Sequence, residues 1–173
     1  LSLHLDGARL FNAIVAKKES PEQYGKTFDS ISVCLSKGLG APVGSVLLGT
    51  KDFIKKARRT RKVFGGGMRQ AGYLAAGALY ALRHQVTRLE QDHAHAALIV
   101  EALKKKDFMI PPVETNIILF EVKGRFTAKE LVGILANKGI LTIAMSPTQV
   151  RIVTHLDITE EMVKQTIREI ESL

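Results

Sequence analysis

Cysteine occurs once in 173 residues, as Cys34, so no disulfide can close within the chain. It lies in an apolar strand pattern and reads as a buried small hydrophobe rather than a reactive thiol. No uninterrupted apolar run reaches the roughly 18 residues that crossing a bilayer requires. The first residues show no basic start, apolar stretch and small-residue cleavage site, so no secretory signal is visible. A reducing cytoplasm is the expected compartment. Internal repeats and low-complexity tracts are missing. Aromatic residues are not interleaved with basic ones, as a nucleic-acid stacking platform would need.

What is present is ordinary in bulk and uneven in detail. Hydrophobic residues make up 46% and charged residues 24% of the chain, as in soluble globular proteins. The length allows one large or two small domains with a sizeable core. The net charge of +8 is concentrated in Lys51 to Lys62, KDFIKKARRTRK, where seven of twelve residues are basic. Three readings stand: a nucleic-acid patch, an amphipathic helix with Phe53, Ile54 and Ala57 turned inward, or a basic segment facing a phosphorylated small molecule. Neighbouring sequence favours the third.

Hydrophobic periodicity divides the chain into alternating strands and helices. LSLHLD alternates Leu1, Leu3 and Leu5 with polar residues and predicts a strand. A helix follows over ARLFNAIVAKK, then a loop around Ser20-Pro21-Glu22. DSISVCLS and GSVLLG read as strands, and Lys51–Lys62 as a helix. FGGGMRQ breaks the chain. Met68 to about His84 is rich in small residues and predicts a helix buried by its neighbours, with a further helix over Thr87–Lys106. Pro111-Pro112 marks a junction. Beyond it come a strand over Asn116–Val122, a helix over Thr127–Asn137, strands near Ile140–Ala144 and Gln149–Thr154, and a helix over Thr159–Ile170. Thr159 is its expected N-cap, with Glu160 and Glu161 favourable to the helix dipole. The fold class is therefore α/β, with a mixed or parallel sheet over residues 1–86 and a small α+β unit over 87–173.

The run SISVCLSKGLGAPVGS places Lys37 at the tip of a buried strand and wraps it in glycine-rich backbone. A partly desolvated lysine at a strand end is a usable amine nucleophile, whose natural electrophile is a carbonyl. Pyridoxal phosphate uses such a lysine and also needs an acidic partner for its ring nitrogen. Asp6, ending the preceding strand, is placed to be that partner. Both lie at carboxyl ends of strands, where ligands of such sheets collect. RKVFGGGMRQ offers backbone donors and cations for a phosphate. Spacing alone leaves a surface Asp and Lys as an alternative.

The strings HLDGARLFNA, SVCLSKGLGAPVGS, RKVFGGGMRQAG and VRIVTHLD, in this order, resemble the low-specificity L-threonine aldolases. These are pyridoxal-phosphate enzymes of the aspartate-aminotransferase-like fold, whose large domain has a mostly parallel sheet. The resemblance covers essentially the whole chain. It implies that Lys37 forms the internal aldimine and that Asp6 partners the pyridine nitrogen. Arg9 would lie near the phenolic oxygen of the cofactor, and Arg151 would grip the substrate carboxylate, for which a planar fork is suited. Lys62 and Arg69 match residues that reach a neighbouring subunit's site towards phosphate or substrate, which implies an oligomer, usually a tetramer. The implied reaction cleaves L-threonine or L-allo-threonine to glycine and acetaldehyde. Another reaction of the same cofactor, such as β-elimination or transamination, and a non-catalytic basic interaction module remain alternatives.

Among the histidines, His4 shares the Asp6 face and is expected as a hydrogen-bonded core residue. His93 and His95 are two apart on a helix and share no face, so no metal is expected there. His155 is expected to fix the loop after Arg151. The family carries a long N-terminal half before HLDGAR, with the ring-stacking histidine and the main phosphate-cradling turn. The opening in mid-strand suggests that this chain corresponds to the C-terminal half. It is then expected neither to fold as a complete unit nor to catalyse efficiently without that missing half.

Overall fold

Apolar residues at alternate positions of SISVC and IILFE nucleate two separate sheets. The computed structural model describes all 173 residues, and they form two compact units, Leu1–Leu89 and Glu90–Leu173. The division falls at 89/90, against 86/87 from sequence.

In the first unit, β1 (His4–Gly7), β2 (Ser30–Cys34) and β3 (Ser45–Gly49) form a mixed sheet in the order β1-β2-β3. β1 runs parallel to β2, and β3 antiparallel to it. Ile31 and Val33 bury one face against Leu10 and Ile14 of α1 (Leu10–Lys17), with Ala78 and Ala81 of α4 (Gly72–His84) and Leu89 completing this core. Period-two alternation leaves His4, Asp6, Ser32 and Cys34 on the opposite face.

Several local expectations need correction. The stretch at Ser20 is a short helix, α2 (Pro21–Thr27), not a loop. Ser20 and Gln23 form a capping box, and Pro21 occupies the first turn, where its missing N–H costs nothing. β1 begins only at His4, and Leu1 and Leu3 stay exposed. The basic helix α3 (Lys51–Val63) buries no residue, and Phe53 keeps 41% of its surface exposed. α4 buries only Ala78 and Ala81, with Tyr73 and Tyr80 in solvent. α3 meets β3 through Ile54 and Ala57, which are half-buried as the amphipathic reading expected, but all five residues of β3 stay exposed. Cys34 is only partly buried, because it falls on the polar face of β2.

The second unit is more self-sufficient. β4 (Ile117–Glu121), β5 (Ile143–Ala144) and β6 (Gln149–Val153) form an antiparallel sheet in the order β4-β6-β5. Its buried face, with Ile118, Phe120, Val150 and Ile152, packs with residues of α5 (Leu89–Lys104), α6 (Ala128–Asn137) and α7 (Glu160–Glu171). Phe120, Leu131, Leu135 and Ile170 are essentially inaccessible, and each such side chain contributes about 1.5–3 kcal/mol of burial. Thr127 and Thr159 cap α6 and α7, accepting from the amides of Glu130 and Met162. The Thr154 hydroxyl donates to the Asp92 carbonyl at 2.6 Å, and Asn116 Nδ2 donates to the Thr154 carbonyl at 2.7 Å. These bonds tie α5 to the ends of β4 and β6.

Candidate active site

Lys37 sits three residues beyond β2, on a loop closed by its own backbone. The Leu35 amide donates to the Gly44 carbonyl at 3.0 Å, Ala41 N to Leu35 O at 3.0 Å, and Gly40 N to Lys37 O at 2.9 Å. Gly40 and Gly44 take φ of +68° and +107°, which a β-carbon would strain. Leu35, Leu39 and Ala41 are buried, while Ser36 and Lys37 between them are exposed. Pro42 packs on Gly77 of α4, where an added Cβ would stand 3.3 Å from its ring. The glycines and the proline thus make a rigid mount that presents one amine to solvent.

Asp6 lies one residue before the end of β1 and directly opposite Ser32 of β2. Because the two strands are parallel, Asp6 and the Lys37 loop stand at the same end of the sheet. Both side chains are exposed. Arg9, half-buried, occupies the N-cap position of α1. A cleft of about 730 Å³, lined by Phe28, Asp29, Leu48 and Phe53, lies at the opposite end of the strands, where β2 begins.

Other sequence-predicted residues are placed differently. Lys62 is in the last turn of α3 and Arg69 just beyond the glycine run, both exposed. That run is first of all a helix stop. Gly65 N donates to Lys62 O at 3.2 Å and Gly66 N to Arg61 O at 2.8 Å, with Gly65 at φ +80°. This is a Schellman cap, and it uses two amides that the sequence reading offered to a phosphate. Gly67 lies under the Lys62 stem, whose Cδ would be 2.6 Å from an added Cβ. Arg151 belongs to the second unit. It is half-buried on β6, opposite Leu119 of β4 and Ile143 of β5.

Two histidines have defined local roles. His4 Nδ1 and Ser30 Oγ share a hydrogen bond of 2.8 Å, so His4 is bonded, but on an exposed strand rather than in a core. His155 Nδ1 accepts from the Asp157 amide at 3.4 Å, within the turn that follows β6. Cys34 Sγ lies 3.5 Å from Ser36 Oγ. Burial pushes its thiol up, but hydrogen bonding with Ser36 and Ser45 and the Lys37 charge outweigh this, leaving it below the ordinary value. Sequence reasoning passed over Asn12, a carboxamide only 2% exposed on the core side of α1. Its signal was a polar residue inside an otherwise apolar helix face.

The profile of the Beta-eliminating lyase family matches residues 1–125. The low specificity L-threonine aldolase of Escherichia coli O157:H7 is 45% identical over 165 residues, covering 95% of this chain and 49% of that protein. Low-specificity L-threonine aldolase 1 of Arabidopsis thaliana is 45% identical over 172 residues, covering 96% and 48%. The chain thus spans about half the length of the curated relatives it matches. Among solved structures, the threonine aldolase of Leishmania major superposes with a TM-score of 0.80 at 18% identity, over 99% of this chain and 52% of that one.

Proposed function

Since this chain belongs to the Beta-eliminating lyase family, we propose that it is the lysine-bearing half of a low-specificity L-threonine aldolase. The enzyme cleaves L-threonine or L-allo-threonine to glycine and acetaldehyde with pyridoxal 5′-phosphate. The observation that carries this reading is Lys37, an exposed amine on a backbone-closed loop, at the same sheet end as the Asp6 carboxylate. The 45% identity to aldolases supports it.

The residues present fit the cofactor. Lys37 Nζ would hold its aldehyde carbon, and the Asp6 carboxylate its protonated ring nitrogen. Arg9 would stand by the phenolic oxygen. Lys62 and Arg69 retain exposed cationic ends for phosphate or substrate, whereas the Gly65 and Gly66 amides serve the helix cap. When bound, pyridoxal phosphate supplies the electron sink for breaking the Cα–Cβ bond of the amino acid. The chain's own residues do the rest of what this half contributes. Lys37 is fixed at its root while its amine exchanges protons, so little reorganisation accompanies each turnover. Asp6 holds a fixed negative charge where positive charge must persist. Arg151 binds the substrate carboxylate through its guanidinium fork.

The base for the β-hydroxyl proton is assigned to the other half of the enzyme. That half would also cover β3 and α3, whose exposed Val46, Leu47, Leu48 and Phe53 suit an internal contact. A homotetramer in the cytoplasm is part of the same proposal. Val63, Phe64, Met68 and Tyr73 offer apolar surface for such assembly, and no helix is long and apolar enough to cross a membrane.

A second reading, β-elimination, is favoured by the description of the matching family. Incubating the intact enzyme with L-threonine separates the two. Glycine and acetaldehyde support the aldolase, whereas ammonia and a keto acid support the alternative. A protein with no visible cofactor band and tightly retained nucleic acid would instead support a basic binding module.

A further inference from the structure

We propose that Asn12, Gly38 and Arg88 are positioning residues that clamp the peptide after Lys37 and so fix where its amine stands. The proposal rests on reading Lys37 as the cofactor lysine. A lysine stem has four rotatable carbons, and Lys37 is exposed, so its position depends on how firmly its root is held. Backbone bonds close the loop on itself, and Pro42 on Gly77 with the buried Leu39 and Ala41 anchor its far side. Directly beside Lys37, the anchor is Gly38.

An added Cβ at Gly38 would lie 2.4 Å from Asn12 Oδ1 and 3.2 Å from Leu89 Cδ2. Position 38 therefore accepts only glycine while Asn12 and Leu89 stay where they are. The Gly38 carbonyl accepts from Arg88 Nη2 at 3.4 Å, a long bond from a charged donor. The contacts come from α1 and from the start of α5 with the residue before it, remote from the loop in sequence. Asn12 is 2% and Leu89 0% exposed, so neither can yield easily. A buried carboxamide in an apolar helix face is retained where its polar atoms are engaged. Its closeness to the peptide of Lys37 gives a reason for its presence. Displacing a reacting group by about 1 Å can cost on the order of 100-fold in rate.

The test uses the intact enzyme loaded with pyridoxal phosphate. Gly38→Ala is expected to lower kcat about 10- to 100-fold and to change the visible circular dichroism of the bound cofactor. KM should stay within about twofold, because substrate binding is not the function lost. Arg88→Ala should act in the same direction, and Arg88→Lys should recover part of the loss. If Gly38→Ala does not accumulate in soluble form, the two Arg88 variants decide by the same measurements. Combining Gly38→Ala with Asn12→Ala removes the clashing oxygen, so the pair should be no worse than Gly38→Ala alone. Unchanged kcat and dichroism in Gly38→Ala and Arg88→Ala, or losses that multiply in the double variant, would overturn the clamp. A wild-type enzyme with no visible band would instead refute the cofactor reading on which it rests.

Discussion

Asp6 of β1 stands opposite Ser32 of β2 in a parallel pair, and the loop bearing Lys37 leaves the far end of that same β2. Strand direction alone therefore brings a carboxylate and an amine to one sheet end. Replacing Asp6 by Ala should leave the amine in place and remove the fixed charge. In the intact enzyme the visible cofactor band should persist while threonine cleavage slows on the order of 100-fold or more. Absorbance and product assays on the same sample check both halves of the expectation.

Arg151 separates binding from chemistry. Arg151→Lys keeps the charge but loses the planar fork, so the KM for L-threonine should rise about tenfold, with a smaller change in kcat. Steady-state kinetics measure this directly. An unchanged KM would remove Arg151 from the substrate site.

Phe64 is 84% exposed, at the end of α3. In the dissociated subunit, Phe64→Ser should change folding stability by less than about 0.5 kcal/mol, as surface substitutions do. Phe120 offers the contrast, being fully buried, and Phe120→Ala should cost about 3–5 kcal/mol. If Phe64 belongs to a contact between subunits, its variant lowers the mass of the assembled enzyme. Sedimentation and urea denaturation together read the two effects.

Glu130 gives the second unit a defined pH response. The Thr127 amide donates to its carboxylate at 2.7 Å and the Thr127 hydroxyl at 2.8 Å. These bonds hold the carboxyl below its ordinary value near 4.5. The folded pKa is depressed, so the stabilisation is present above the unfolded value and is lost as pH falls through the folded one. The advantage of wild type over Glu130→Gln should be full at neutral pH and vanish in that acid range. Denaturation curves of both proteins at several pH values test it.

Local signals carried most of the second unit. Thr127 with Glu130 three residues on, and Thr159 before Glu160 and Glu161, mark helix starts by chemistry that acts within one turn. The same chemistry at Ser20, Pro21 and Gln23 was equally local, but the short helix it starts has no apolar face to advertise it. In the first unit, periodicity placed β2 and its loop but misjudged what would be covered. Phe53, Tyr73 and Cys34 are exposed or half-exposed because burial depends on neighbours that a local pattern does not contain. The glycine run shows the reverse limit: Gly65 and Gly66 looked like a phosphate cradle and close a helix instead. Asn12 was legible only as an oddity, since its meaning depends on Gly38, 26 residues away.

The most direct test of the central claim is covalent. Loading the intact enzyme with pyridoxal phosphate, reducing it with borohydride and mapping the modified peptide by mass spectrometry identifies the amine that holds the aldehyde. The expected result is one cofactor adduct, on Lys37, absent from the Lys37→Ala protein. An adduct on another lysine, or none at all, would contradict the account.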